Sequence, residues 1–200
     1  MRTGRLKANE AESLNNLAQI AAGTNLYAND HDQMMPTGYF YQPGQGEITY
    51  AMQLLPYVSN TTTLFIAPTS AIQPVKPSSG GFIAMTYSMN NLISPDTSTG
   101  GQPIRRTAIL HPSEVILIAD GAQSATTTYS RSTFTNPVIP SNGVPDTSVA
   151  IPVGPDADTT GGAGWLRYRD QGAVDVAMVD GHVEAMRKGS VCYCNIVPNQ

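Results

Sequence analysis

Charge is scarce in this 200-residue chain: Asp, Glu, Lys and Arg make up 13% of it, against about 25% in an average globular domain. No basic run or basic helix occurs and the net charge is −4. That argues against a nucleic-acid partner, because phosphate binding needs clustered Lys and Arg. Long apolar runs are missing too. No stretch of ~18 apolar residues is available to span a bilayer. The charged opening Met1-Arg2-Thr3-Gly4-Arg5 is not followed by the apolar core of a signal peptide. The sequence therefore reads either as soluble as it stands or as the part that follows an upstream anchor. Cysteine is nearly absent. The two present, Cys192 and Cys194, are too few for a zinc site of about four ligands, and a ring that short is strained for a disulfide. Free thiols or a contact with another chain are the expectation. Catalytic signatures are also lacking: there is no G-x-S-x-G, no H-E-x-x-H, no phosphate-cradling glycine loop and no useful Cys–His pairing. The chain is expected not to be an enzyme.

What replaces charge is Ser, Thr, Asn, 18 Gly and 15 Pro, with 40% hydrophobic residues to build a core. Such a surface suits a loop-rich protein outside the cytoplasm. The clearest helix runs from Asn9 to Asn29: no Pro interrupts it, and Leu14, Leu17, Ala18, Ala21 and Ala28 recur at helical spacing, with Ile20 and Tyr27 widening the stripe. Glu10 and Glu12 stand near its expected N-terminal end, where negative charge favours the dipole. Ile48 to Val58 reads as a short helix with Met52, Leu55 and Val58 on one side. Phe82 to Met89 and Glu114 to Ala119 read as strands. From Gly121 to Gly164 the chain is Thr/Ser/Pro/Gly-rich without a sustained period, the pattern of a long surface excursion. Alternation in Val174, Val176, Met178 and again in Val183, Ala185, Arg187, with Asp180-Gly181 between, predicts a hairpin on a type I′ turn. A helix followed by antiparallel strands makes the class α+β. The division is residues 1–30 as helix and 31–200 as a β-rich head.

Several segments in collinear order resemble one family. Leu14-Asn15-Asn16-Leu17-Ala18-Gln19-Ile20, then Leu26-Tyr27-Ala28-Asn29-Asp30 and Pro36, is similar to the region just after the membrane span of type IV pilin-like proteins. The likeness is to G-type pseudopilins of type II secretion and to the related group found in planctomycetes and their relatives. Leu54-Leu55-Pro56-Tyr57-Val58 with Phe65-Ile66-Ala67-Pro68, Thr86-Tyr87-Ser88-Met89-Asn90, Pro112-Ser113-Glu114-Val115 through Asp120 and Val176-Ala177-Met178-Val179-Asp180-Gly181-His182-Val183 resemble further family segments. Three features depart from it. Asp170 stands where a His often precedes the Asp-Gly pair by ten positions. Ser13 and Ala67 replace two usual cysteines. The hydrophobic N-terminal stretch with its processing site is not in the sequence.

The resemblance implies a pilin-like fold, an N-terminal amphipathic helix packed on an antiparallel sheet with long loops. It also implies a structural subunit of a pseudopilus or type IV pilus-like filament involved in type II protein secretion. Such a subunit is anchored in the inner membrane when full length, with a methylated N-terminus. Its head lies in the periplasm or at the cell surface. Its partners are copies of itself, other pseudopilins and inner-membrane secretion components. Leu14, Leu17, Ile20, Ala21 and Tyr27 are the expected packing residues of the helix. Upstream, a pilin expects a short basic leader and ~20 apolar residues. The rival reading is an extracellular ligand-binding or adhesion module presenting the Gly121–Gly164 region, which expects an ordinary cleaved signal peptide.

Asp156, Asp158 and Thr160 place oxygens at alternate positions before Gly161, as a calcium loop does, and G-type pseudopilins carry calcium in a head loop. Against it, the twelfth position is Arg167 rather than an acid, and Asp/Thr/Gly clusters are ordinary loop chemistry. Loop chemistry outweighs calcium here. Tyr39, Phe40 and Tyr41 read as a lid over the sheet, with an inter-subunit contact as the functional alternative. His31 reads as part of a helix-terminus cluster, His182 as a strand residue beside the turn and Trp165 as core.

Overall fold

The computed structural model describes residues 2–70, 85–123, 132–134, 146–159 and 161–199. Helix α1 covers Arg2–Asp30, 29 residues, about 43 Å at 1.5 Å per residue. It begins earlier than the apolar periodicity does. Glu10 and Glu12 consequently lie well inside it, and its first turn holds no acid; the dipole expectation placed on them fails. The buried arc is Ser13, Leu17, Ile20, Ala21, Thr24 and Ala28, steps of three and four that keep to one side. Leu14 and Ala18 sit at the margin of that arc and are only half-buried. Leu14 therefore does not belong to the packed stripe as expected, and polar Ser13 and Thr24 do. Gly23 has a packing reason: a Cβ there would come within 2.8 Å of Val58 Cγ1, so only glycine lets the segment 55–58 lie this close.

After the helix, strands β1 (Tyr39–Gln42) and β2 (Gly46–Thr49) form a separate antiparallel hairpin. Tyr41 is 64% exposed, and Tyr39 and Phe40 are half-buried; the aromatic run is a small ribbon rather than a lid over the main sheet. Helix α2 (Tyr50–Leu54) then tightens into a 3-10 turn over Leu55–Val58, with Pro56 in its first turn. The side that is buried carries Tyr50, Ala51, Leu54 and Val58. Met52 and Leu55 pack at its edge, a rotation of the expected face.

The main sheet contains β3 (Tyr87–Asn90), β4 (Ile116–Asp120), β5 (Thr133–Phe134), β6 (Ala173–Met178) and β7 (Val183–Arg187) in the order β5-β3-β4-β6-β7. Every pairing is antiparallel except the edge pair β3–β5. Residues 82–84 of the expected Phe82–Met89 strand lie outside the described residues. Within the Gly121–Gly164 excursion, β5 and Ile151 are buried parts of the head.

The β6–β7 hairpin forms where alternation placed it, but its turn differs. Gly181 has φ 100° while Asp180 is not among the residues with positive φ, so a type I′ turn, which needs both, is ruled out. Gly181 N–H donates to Met178 O at 3.0 Å and Met178 N–H to His182 O at 2.9 Å. The loop is thus one residue longer, a turn closed by a left-handed glycine. The Asp180 carboxylate accepts from the His182 amide at 3.0 Å and stabilises it.

Both faces of the sheet are covered. On one, α1 packs over Leu117, Ile118, Ala177 and Val179. On the other, Val174, Val176 and Met178 meet Ile151, Leu166, Tyr168, Val191 and Ile196, residues supplied by the stretch before β6 and by the C-terminal tail. That tail also corrects the cysteine expectation. Cys192 and Cys194 form a disulfide, their Cα atoms 5.2 Å apart, because a 3-10 turn over Tyr193–Asn195 follows an extended Cys192 and shortens the span into the ordinary bridging range.

Candidate functional site

Two regions carry the chemistry: the uncovered side of α1, and a polar spine that runs beneath its covered side. On the helix, Leu17, Ile20 and Ala21 are fully buried against the chain's own sheet. Tyr27 is half-buried; it stacks on His31 with ring centroids 3.9 Å apart and donates to Gln53 Oε1 at 3.2 Å. His31 Nδ1 also lies 2.8 Å from Tyr27 O. Most of the expected packing residues are therefore spent inside the molecule. The side facing away shows Glu12, Asn15, Gln19, Ala22, Leu26 and Asn29, a polar stripe in which Leu26 alone is a large apolar side chain, 53% exposed. No residue from 3 to 12 is buried. In this part of the helix cover is partial at Leu6, Asn9 and Glu10, and the other side chains are exposed.

The loop carrying Asp156 and Asp158 sits among bases. Asp156 accepts from Arg167 at 2.6 Å, from Lys188 at 2.7 Å and from the Tyr168 amide at 2.9 Å. Asp158 bonds Arg169 through both carboxylate oxygens, one at 2.7 Å, and accepts from the Gln123 amide at 3.0 Å. Partial burial works against both charges, yet these donors hold both carboxyls below their ordinary value. Their oxygens are occupied by guanidinium, ammonium and amide hydrogens, which leaves the alternate-position pattern with an ion-pair network. Thr160 lies outside the described residues. Among the described residues no group of three or more His, Cys, Asp or Glu side chains could hold a metal ion.

Arg169 is the centre of this network and is nearly buried, with 4% of its side chain exposed. Besides Asp158 it donates to Asp120 at 2.9 Å and to Gly121 O at 3.1 Å. Burial opposes its charge, and Asp120 with Asp158 more than restores it, so its pKa is raised. Asp120 is itself 1% exposed; burial pushes it up to about 7 while Arg169 pulls it back. From Asp120 the spine continues across the sheet. Tyr87 pairs with Asp120 on one side, and Tyr87 Oη lies 3.0 Å from Ser13 Oγ on α1. Asp175 follows on the other side, 1% exposed, with neither carboxyl oxygen hydrogen-bonded.

A cleft of about 340 Å³ opens between α1, the loop before β4 and the hairpin tip, lined by Asn25, Arg106, Ile109, Val179 and Asp180 among others. Its cation is already engaged: Arg106 donates to Asn25 at 3.1 Å, Asn29 at 2.9 Å and Gln33 at 2.6 Å. It acts as a clamp on the C-terminal end of α1.

None of Arg169, Asp175 or Arg106 stood out in the sequence, and Asp120 did so only as the end of the segment from Pro112 that resembles a family segment. The one available signal was Asp175 interrupting Val174 and Val176, which reads as a solvent-facing position. Among the described residues no helix is long and apolar enough to cross a membrane. Comparison with models of known families, with curated proteins and with solved structures returned no match to this chain.

Proposed function

We propose that this chain is the head-bearing portion of a filament subunit with a pilin-like fold, a structural component of a pseudopilus or type IV pilus-like fibre that serves type II protein secretion. It acts by assembly rather than by chemistry. In full-length form it is anchored in the inner membrane, with its head in the periplasm or at the cell surface. Its partners are copies of itself, other pseudopilins and inner-membrane secretion components. The observation that carries this reading is the division of α1: one side is sealed on the sheet, while no residue from 3 to 12 is buried and the polar stripe from Glu12 to Asn29 is exposed. A helix of 29 residues is far longer than the head needs for its own core, and helices with an uncovered side gain stability by packing on something else.

The test is oxidative cross-linking of the full-length protein in its own cells, with single cysteines at Asn15, Gln19 or Ala22. A ladder of multimers is expected from these positions, and monomer from a cysteine at Val149, which is 49% exposed on the head. Monomer at every helix position refutes assembly through α1 and leaves the ligand-binding or adhesion module.

A further inference from the structure

Three carboxyl groups lie together under α1: Asp120 and Asp175 at 1% exposure and Asp170 at 5%. The register Ala119↔Val176 sets Asp120 of β4 beside Asp175 of β6, on the face opposite Val174 and Val176, which belong to the other core. Among the described residues one guanidinium acts on this group, and Arg169 spends its donors on Asp120, Asp158 and Gly121 O. Asp175 receives none of them: its polar neighbours are Ser13 and Asp170, and neither of its oxygens reaches a well-formed hydrogen bond. An ionised carboxylate buried without a partner costs several kcal/mol, whereas the protonated acid is far cheaper to bury.

We propose that the seat of α1 on the sheet is a proton-dependent joint: the helix stays docked while Asp175 holds a proton and loosens when that proton leaves. Of the groups around Asp175, the carboxyls favour the proton and Ser13 alone opposes it. From α1 comes Ser13, whose hydroxyl is also engaged by Tyr87. β3 supplies Tyr87, kept neutral by burial, and β4 supplies Asp120. The segment before β6 supplies Asp170 and Arg169, while β7 places uncharged Ala185 opposite. Burial pushes Asp175 up to about 8; Ser13 opposes the rise, and Asp170 and Asp120 add to it. For an acid raised in the folded state, the contribution to stability is complete below the unfolded value near ~4 and is lost as pH climbs through about 8. This inference does not depend on the filament reading.

Hydrogen exchange of the full chain between pH 5 and 9, divided by intrinsic exchange rates, reads the opening of α1 directly. Opening of the amides from Ser13 to Thr24 is expected to increase about tenfold per pH unit from pH 5 to 8 and then level off. β4 amides, which open only with the whole domain, are expected to stay better protected than those of α1 at every pH, and Asp175→Asn is expected to abolish the slope in α1. A flat wild-type profile, or the same slope in Asp175→Asn, overturns the proposal. Equal protection of α1 and β4 across this range also overturns it, because the whole domain and not the joint would then be opening. Should Asp175→Asn fail to fold, the carboxyl carbon resonance of Asp175 in the wild-type chain decides: a midpoint above pH 7 supports the joint, and one below pH 5 refutes it.

Discussion

Replacing Arg169 by Met keeps most of the side chain's volume and removes the cation at the centre of the polar spine. Its guanidinium serves Asp120, 1% exposed, and Asp158, whose side chain is 15% exposed. Asp158 retains Arg167 at 3.4 Å and the Gln123 amide at 3.0 Å, so the main orphan is Asp120. Removing one partner of a buried pair costs roughly 3–5 kcal/mol, because the remaining charge keeps its desolvation penalty. For a domain of this size each kcal/mol shifts the melting temperature by about 2–4 °C. A fall of roughly 6–20 °C at pH 7.5 follows from those two ranges, read by circular dichroism or calorimetry. The sign with pH is fixed. Loss of Arg169 lets burial raise Asp120 further, so the variant gains stability relative to wild type as pH falls from 7.5 to 5. Removing the orphan as well, in Asp120→Asn with Arg169→Met, is expected to restore at least half of the loss. A variant within ~1 kcal/mol of wild type at pH 7.5, or a deficit that the second substitution leaves unchanged, refutes the account of the spine.

Leu17→Ala removes a fully buried side chain from the α1–sheet contact and is expected to cost about 2–5 kcal/mol. Gln19→Ala on the uncovered side is expected to stay within about 0.5 kcal/mol, and chemical denaturation compares the two. Thiol titration of the unfolded, unreduced chain is expected to find no free cysteine, and two after reduction, because Cys192 and Cys194 are bridged; two free thiols before reduction would reinstate the original expectation. Stripping divalent ions with EDTA is expected to leave the melting temperature unchanged, since bases occupy Asp156 and Asp158. A drop of more than a few degrees that calcium alone reverses would return the calcium loop.

The elements that the sequence made legible are those whose evidence is local. The long helix, the strand expected over Glu114 to Ala119 and found at Ile116–Asp120, and the β6–β7 hairpin are each legible from the pattern within one segment. What escaped required knowing a second segment. Gly181 takes its positive φ as the closing residue of the turn, and whether Asp180 shares it depends on how Met178 and His182 pair. The Cys192–Cys194 bridge depends on the 3-10 turn at Tyr193, which no apolar spacing announces. Asp156 and Asp158 have the alternation of a cation loop, yet the chain returns Arg167, Arg169 and Lys188 to the same place.

The hairpin shows the limit most clearly. Alternation in Val174, Val176 and Met178 marks one apolar face, and the simplest assignment turns that face toward the helix. The opposite holds. Those three side chains pack under the C-terminal tail, and α1 covers the alternate row of Asp175, Ala177 and Val179. A period of two identifies two faces without saying how many will be covered. Once both are, an acid at an outward position becomes a buried one, and its neighbours decide its form. Asp120 has Arg169 and keeps an ion pair; Asp175, one strand over, has none. The same helix contact that gives the head its core therefore takes one acid out of water without a base. That is why α1 docking and proton binding are coupled in this fold.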